Sequence, residues 1–346
     1  MKFLRLTVAA ALAAALMAPV ATSSASAAPA AADRGLFGAA DPTYDGVFRQ
    51  STAILGLAAA GVDVPPSALQ WLLRQQCKDG SFAAYRSDPS AACPAPDPQG
   101  FTGPDTNSTA LAALALDSLK GRAAARAAAQ ARAWLRTQEL PGGGWEWIAG
   151  LGPDSISTAM VLSALGPAGS ALGQRGVRWL GDQVLVDDSC AVRFQPGATA
   201  DPLSTAWAFT ASQGTLPFDP VRGPRKPAPS CSIDSRPLAS TGQWLAQRLI
   251  ATSGRIPDAF DPTATDWNST ALATLGMTQR NGSRQAMLLG TTSLKAHVDA
   301  YVVRPEGDSP TALGTLISVA HAAGDSPRTF GGTNLIARLL ATLQRS

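Results

Sequence analysis

Four aspartates occupy the same place in a repeated phrase. Asp105, Asp154, Asp201 and Asp266 each stand three residues before Ser-Thr-Ala, and Asp308 stands close before a degenerate copy, Pro310-Thr311-Ala312. Carboxylates repeated at one level of a fold form a rim that can hold a cation, a sugar or an amine. Two that face each other can divide the acid and base roles that glycoside hydrolysis needs. Asp266-Trp267-Asn268 is the most decorated copy, because its aromatic ring can stack on a ligand. Asp105-Thr106-Asn107 is its nearest analogue. Asp105, Asn107, Asp154, Asp201, Asp266, Trp267, Asn268 and Asp308 are therefore the candidate ligand rim. A simpler role explains their spacing directly. An aspartate just before a helix accepts the free amide hydrogens of the first turn. Asn107 and Asn268 also begin Asn-x-Thr sequons, which read here as helix-start chemistry.

Sulfur and imidazole are scarce. The chain has four cysteines, Cys77, Cys93, Cys190 and Cys231, and two histidines, His297 and His321. An even number of cysteines in an exported chain suggests disulfides. Three pairings are open. Proximity in sequence favours Cys77–Cys93 and Cys190–Cys231, each clipping a Pro-containing excursion whose closure restricts the unfolded chain. No Asp/Glu/His cluster with metal-ligand spacing is present, so no cofactor and no metal is expected.

The elements that must position these groups are helices. Ser-Thr-Ala recurs at Ser51, Ser108, Ser157, Ser204 and Ser269, and the six Thr positions lie 41 to 65 residues apart. Repeats of this length are single supersecondary units. Each phrase opens an apolar run such as Ser-Thr-Ala-Leu-Ala-Ala-Leu-Ala-Leu, and a helix that is apolar nearly all round is buried on all sides. A second, amphipathic helix follows in each unit. Over 123–138, Arg126, Gln130, Arg132 and Arg136 make a wet side, while Ala127, Ala131, Trp134 and Leu135 recur at helical spacing opposite them. Comparable outer helices are expected over 67–76, 177–184, 241–250, 292–301 and 334–344. The first and sixth inner helices are as apolar as the middle ones. An open solenoid would need polar caps at its ends, so the expected architecture is all-α, an (α/α)6 toroid of six helical hairpins.

The N-terminus reads as a leader. Lys2 and Arg5 precede the apolar stretch 6–21, and Ala25-Ser26-Ala27 fits a small-residue cleavage site. Residues 1–27 are thus expected to be a signal peptide, and 28–346 one secreted domain. No later run is long enough to span a bilayer. Without Lys2 and Arg5 the 28 basic residues become 26 against 25 acidic ones. That balance leaves no electrostatic footprint for nucleic acid or anionic lipid. Arg222, Arg225 and Lys226 are clustered but lie among prolines in what reads as a solvated loop.

At its outer helices the chain resembles the repeats of the squalene cyclase and protein prenyltransferase superfamily. The resemblance rests on Gln70-Trp71-Leu72-Leu73-Arg74-Gln75-Gln76 with Asp79-Gly80-Ser81-Phe82, and on Ala133-Trp134-Leu135-Arg136-Thr137-Gln138 with Gly143-Gly144-Trp145. Weaker copies surround Trp179 and Trp244. In that superfamily such residues tie each outer helix to the following turn. The resemblance implies the toroid and leaves the activity open. Its cyclases use Asp-x-Asp-Asp as the acid, and that motif is absent. Asp187-Asp188 is the nearest pair, and it follows an outer helix. Trp207 and Phe209 are the clear inner aromatics, and core packing explains them. Prenyltransferases of this fold hold zinc with Asp, Cys and His, for which Asp188-Ser189-Cys190 with His297 or His321 is the nearest set. An oxidised Cys190 would disable it. The Cys-Gly-Glu-Gln setting of complement-type thioesters is absent, and so is the β-rich domain of cobalamin carriers. The expected function is a secreted binding or interaction module for a small apolar ligand or an extracellular protein. The alternative is a terpenoid cyclase-like or prenyltransferase-like enzyme acting on an isoprenoid.

Overall fold

The computed structural model describes residues 34–166, 171–185, 190–213 and 237–345. The leader expected at 1–27, Asp187-Asp188, the basic cluster at 222–226 and Cys231 lie outside the described residues. Thirteen helices are present among those described, with only two-residue strands beside them. Six helices carry the repeated phrase: α1 (Gly46–Ala59), α3 (Thr106–Asp117), α5 (Ser155–Leu165), α7 (Pro202–Ser212), α9 (Trp267–Met277) and α12 (Pro310–Ala323). Each is followed by a partner: α2 (Pro66–Gln75), α4 (Arg122–Thr137), α6 (Ala171–Gly181), α8 (Pro237–Ala251), α10 (Arg284–Ala296) and α13 (Leu335–Ala341). A single extra turn, α11 (Val298–Val302), stands between α10 and α12. The strands β1 (Phe82–Ala83) and β2 (Pro104–Asp105) pair antiparallel, as do β3 (Val303–Arg304) and β4 (Gly307–Asp308).

Burial follows composition. In α3, from Thr109 to Leu116, no residue is more than 2% exposed, and Ala and Leu fill every side of the helix. Both are strong helix formers and neither brings a polar atom into the core. In α4, by contrast, Ala124, Ala127, Ala128, Ala131 and Leu135 are buried while Arg126, Gln130 and Arg136 are exposed. The apolar-all-round helices are therefore inner and the amphipathic ones outer.

The inner helices make a closed ring. α1 packs on α3, α3 on α5, α5 on α7, α7 on α9, α9 on α12, and α12 back on α1. That last contact is the tightest approach. A Cβ added to Gly314 in α12 would lie 2.5 Å from the Thr52 carbonyl oxygen, and one added to Gly56 would lie 2.6 Å from that of Gly314. A side chain at either position would hold the two helices apart. The chain ends complete the closure. The amides of Gly35 and Gly38 donate to the carbonyls of Gln344 and Thr342, and the Gln344 amide donates to Leu36 O at 2.9 Å. Gln50 locks this clasp from inside. Its Oε1 accepts from Phe37 N, and its Nε2 donates to Gly35 O and Ala68 O.

Several helices depart from expectation at their ends. Helix α6 begins at Ala171, six residues before the expected start. α10 spans Arg284–Ala296 and is interrupted at His297, whose backbone leaves the helical region at φ −131°, so the expected helix over 292–301 is two elements. α13 ends at Ala341, because residues 342–344 turn to pair with the N-terminal segment. α1 begins at Gly46, five residues before its Ser-Thr-Ala, which therefore falls in its second turn. Cys77–Cys93 is a disulfide with a Cα separation of 5.8 Å, as the spacing predicts. Cys190 is also disulfide-bonded, so it offers no thiolate to a metal. Its expected partner Cys231 is among the residues not described. No helix among the described residues is long and apolar enough to cross a membrane.

Candidate functional site

First turns of neighbouring inner helices meet at one end of the ring, where Trp147 reaches both Asp105 and Asp154 and the charge of Asp266 bears on Asp201. Four of the five candidate aspartates cap those turns. Asp105 accepts from Ser108 N at 2.7 Å, Asp154 from Ser157 N at 2.8 Å, Asp201 from Ser204 N at 2.8 Å and Asp266 from Ser269 N at 2.9 Å. Each bond satisfies an amide that the helix itself leaves unpaired. Asp308 does not cap α12. Ser309 does, its Oγ accepting from Ala312 N at 3.3 Å, since the helix opens one residue later at Pro310. Asp308 instead forms a two-bond pair with Arg338 at 2.7 and 2.6 Å, which ties α13 to β4.

The threonine of the phrase has its own duty. Thr109 Oγ1 accepts from Phe82 N, Thr158 Oγ1 from Trp145 N, Thr205 Oγ1 from Val192 N and Thr270 Oγ1 from Ile256 N, each at 2.9 Å. These partners are the apolar residues of the turns that follow the preceding outer helices. In four of the six units one hydroxyl thus pins the return turn onto the next inner helix, whereas Thr52 Oγ1 donates to Phe48 O within its own helix. The phrase specifies both a cap and a clamp.

Asp105 and Asp154 are both 2% exposed and share a neighbour. The Trp147 side chain hydrogen-bonds to the Asp105 carboxyl, and its backbone amide bonds to that of Asp154. Its ring stacks on Phe101 at 5.7 Å between centroids. Burial pushes the carboxyls of Asp105 and Asp154 up to about 7, against the pull of the Ser108 and Ser157 donors. Asp201 is half-buried. Its carboxyl is also raised, first by desolvation, with Ser204 opposing and the charge of Asp266 adding to the rise. Asn107 is buried beside Asp105, with Thr106 Oγ1 3.4 Å from its amide oxygen.

The Asp266 copy is built differently. In the Asp154 and Asp201 copies the serine hydroxyl also donates to the capping carboxylate. In this one it does not. Asp266 has backbone angles of −76° and 92°, against −134° and 158° at Asp154, and the buried Ser269 hydroxyl has no partner. Asp266 is half-buried and, among the described residues, only the Ser269 amide is bonded to its carboxylate. Its charge bears on Tyr301, whose hydroxyl donates to Asn268 Oδ1 at 3.2 Å. Trp267 is half-buried and stacks on His297 at 4.9 Å. The structure thus brings Asp266, Trp267 and Asn268 together with Tyr301 and His297, and places Asp201 within electrostatic reach. Asp105, Asn107 and Asp154 form a neighbouring group around Trp147. Tyr301 and Trp147 are not legible as site residues in the sequence, and His297 entered it only as a candidate zinc ligand. His297 and Tyr301 arrive through the break between α10 and α11, which no repeat marks.

No protein-family model matches the chain, and no curated protein matches it in sequence. Solved structures do match in shape. A variant of the type II terpene cyclase MstE from Scytonema, in complex with geranylgeranyl dihydroxybenzoate, superimposes with a TM-score of 0.54 at 13% identity. The match covers 84% of this chain and 92% of the other. The ent-copalyl diphosphate synthase from Streptomyces platensis gives 0.52 at 17% identity, covering 80% of this chain and 50% of its own. The fold is that of an α/α-toroid. A toroid of different chemistry, the GH76 α-mannanase BT2949 of Bacteroides thetaiotaomicron, gives 0.51 at 10% identity over 85% and 86% of the two chains. Toroids of such different activity share only the scaffold, so the fold by itself names no function.

Proposed function

We propose that this chain is an exported binding module, a single (α/α)6 toroid of six hairpins over 28–346 that takes a ligand at its mouth. The leader-like sequence of 1–27, the Cys77–Cys93 disulfide and the six phrase-bearing helices with their amphipathic partners support that outline. One observation carries the binding reading. Of the four capping aspartates, Asp266 alone has a serine hydroxyl beside it with no partner, and it stands next to a half-exposed tryptophan. The inner helices point the same way. Their enclosure on all sides, clearest in α3, leaves the mouth as the accessible end.

A second reading has its own observation. Asp105 is a carboxylic acid that burial keeps largely protonated up to about pH 7, and such a group can serve as a proton donor in a dry site. An isoprenoid cyclase would use it that way. The packed inner helices weigh against this, since a cyclase needs room for its substrate inside the ring.

Native mass spectrometry of protein purified from its own host separates the two. A co-purifying small molecule released by Asp266→Ala supports the mouth. An isoprenoid retained by Asp266→Ala, with turnover abolished by Asp105→Asn, supports the enzyme and sinks the module.

A further inference from the structure

The hydrogen-bonding demands of the open copy define what it can hold. The Tyr301 hydroxyl donates to Asn268 Oδ1, so the amide oxygen is committed and the Asn268 amino group is left as a donor. Burial keeps the Tyr301 phenol protonated, so it has a hydrogen to give to that bond. Asp266, one helical position before Trp267, offers the opposite: a carboxylate acceptor with an oxygen to spare. The Ser269 hydroxyl, 1% exposed and without a partner, lies in the same first turn and can serve as either. A ligand that spans Asp266 and Asn268, two positions apart, must donate to the first and accept from the second.

That requirement sorts the candidates. An anion would face Asp266 and the neighbouring charge of Asp201, and the opposing charge of Arg304, which bears on Tyr301, sits on an exposed side chain screened by solvent. An ammonium would satisfy Asp266 and the ring of Trp267. It has no lone pair for the Asn268 amino group, so a donor would be left unmatched, which weakens binding. A metal ion has too few ligands, as no group of three His, Cys, Asp or Glu side chains converges among the described residues. A pair of neighbouring hydroxyls meets both demands, one donating to Asp266 and the other accepting from Asn268. Hydroxyl pairs on a ring with an apolar C–H face are the chemistry of sugars, and Trp267 supplies a surface for that face.

Resting on the mouth reading above, we propose that the ligand is a neutral sugar, held through adjacent hydroxyls by Asp266 and Asn268 and by its ring face on Trp267. The test uses the intact protein and a panel of methyl glycosides (gluco, manno and galacto), with choline as the amine probe. Binding is read by saturation-transfer NMR and tryptophan fluorescence. The informative variants are Asp266→Ser, which keeps an N-cap while removing the spare carboxylate oxygen, Asn268→Leu and Trp267→Ala. Asp261→Ala, at an exposed turn, is the control. Thermal melts establish that each variant folds, and Trp267→Phe provides a stacking rescue. The expected result is millimolar binding of at least one glycoside, weakened about tenfold or more by Asp266→Ser and by Asn268→Leu and unchanged in the control. Choline binding without glycoside binding overturns the sugar and leaves the mouth. Glycoside binding indifferent to all three variants overturns the placement. No binding by any probe overturns the sugar as well, and the native mass spectrum then decides the mouth independently.

Discussion

Buried aspartates, Asp105 and Asp154 above all, with Asp201 and Asp45 raised in the same direction by desolvation, make the folded state sensitive to pH in an unusual direction. Asp105 and Asp154 hold their protons up to about pH 7 when buried, whereas unfolded aspartates release them near 3.8. Between those values the folded state binds protons that the unfolded state has lost. The stabilisation from each neutral carboxyl is complete below the lower value and is lost as pH rises toward the upper one. The slope reaches about 1.4 kcal/mol per pH unit for each group at most. The urea midpoint should therefore fall between pH 4.5 and pH 7.5. Asp154→Asn, which keeps a capping amide oxygen and cannot ionise, should flatten that decline. An equally steep decline in Asp154→Asn would show that this carboxyl is not responsible. The exposed turn aspartates Asp88 and Asp261 do not interfere, because hydrogen bonds from Ser90 and Thr263 hold them low and they titrate in more acid solution. The capping role of Asp105, Asp154, Asp201 and Asp266 was readable from spacing alone, because a cap is a local interaction spanning three residues. The burial that shifts two of them was not, because it depends on how the closed ring packs around them, with Trp147 reaching Asp105 from some forty residues away.

At the scale of elements, the repeated unit is an inner helix, an outer helix and a return turn, which in four units is held by one threonine. The strongest single instance is Thr158. It accepts from the amide of Trp145, a fully buried residue whose indole nitrogen also donates to Leu135 O at 2.8 Å. Thr158→Val preserves shape and leaves that amide without an acceptor, which should cost about 1–3 kcal/mol in chemical denaturation. Thr158→Ser retains the hydroxyl and should recover most of the loss. Equal destabilisation by both would assign the effect to packing of the methyl group. Inner and outer helices were distinguishable in the sequence because apolar periodicity reports how many sides of a helix are covered. Their ends were less so. α1 starts five residues ahead of its phrase, and α10 breaks at His297, because ends are settled by what the neighbouring turns need.

At the scale of the molecule, closure is the decisive event, and both its contacts join residues far apart in sequence. Gly56 and Gly314 let the first and last inner helices touch, and the segment Gly35–Gly38 completes the turn after α13 that the C-terminus alone does not supply. Leu36 and Phe37 are fully buried there. A chain lacking residues 1–38 should lose about 3–6 kcal/mol, since burying each such side chain contributes about 1.5–3 kcal/mol. Gly314→Ala should cost about 1–3 kcal/mol through overpacking. Truncation that leaves the urea midpoint unchanged would show that the ring closes without its clasp. While it only favoured Cys77–Cys93 among three open pairings, the sequence by itself determined the helical class, the two kinds of helix and the four aspartate caps. All of these depend on periodicity, on composition or on neighbours within a few residues. Only the tertiary structure decided that the phrase also carries a clamp, that Asp308 pairs with Arg338 instead of capping, and that Asp266 is the open member of the rim. Those facts depend on which distant segments a closed ring brings to the same place, and a one-dimensional pattern does not encode distances of that kind.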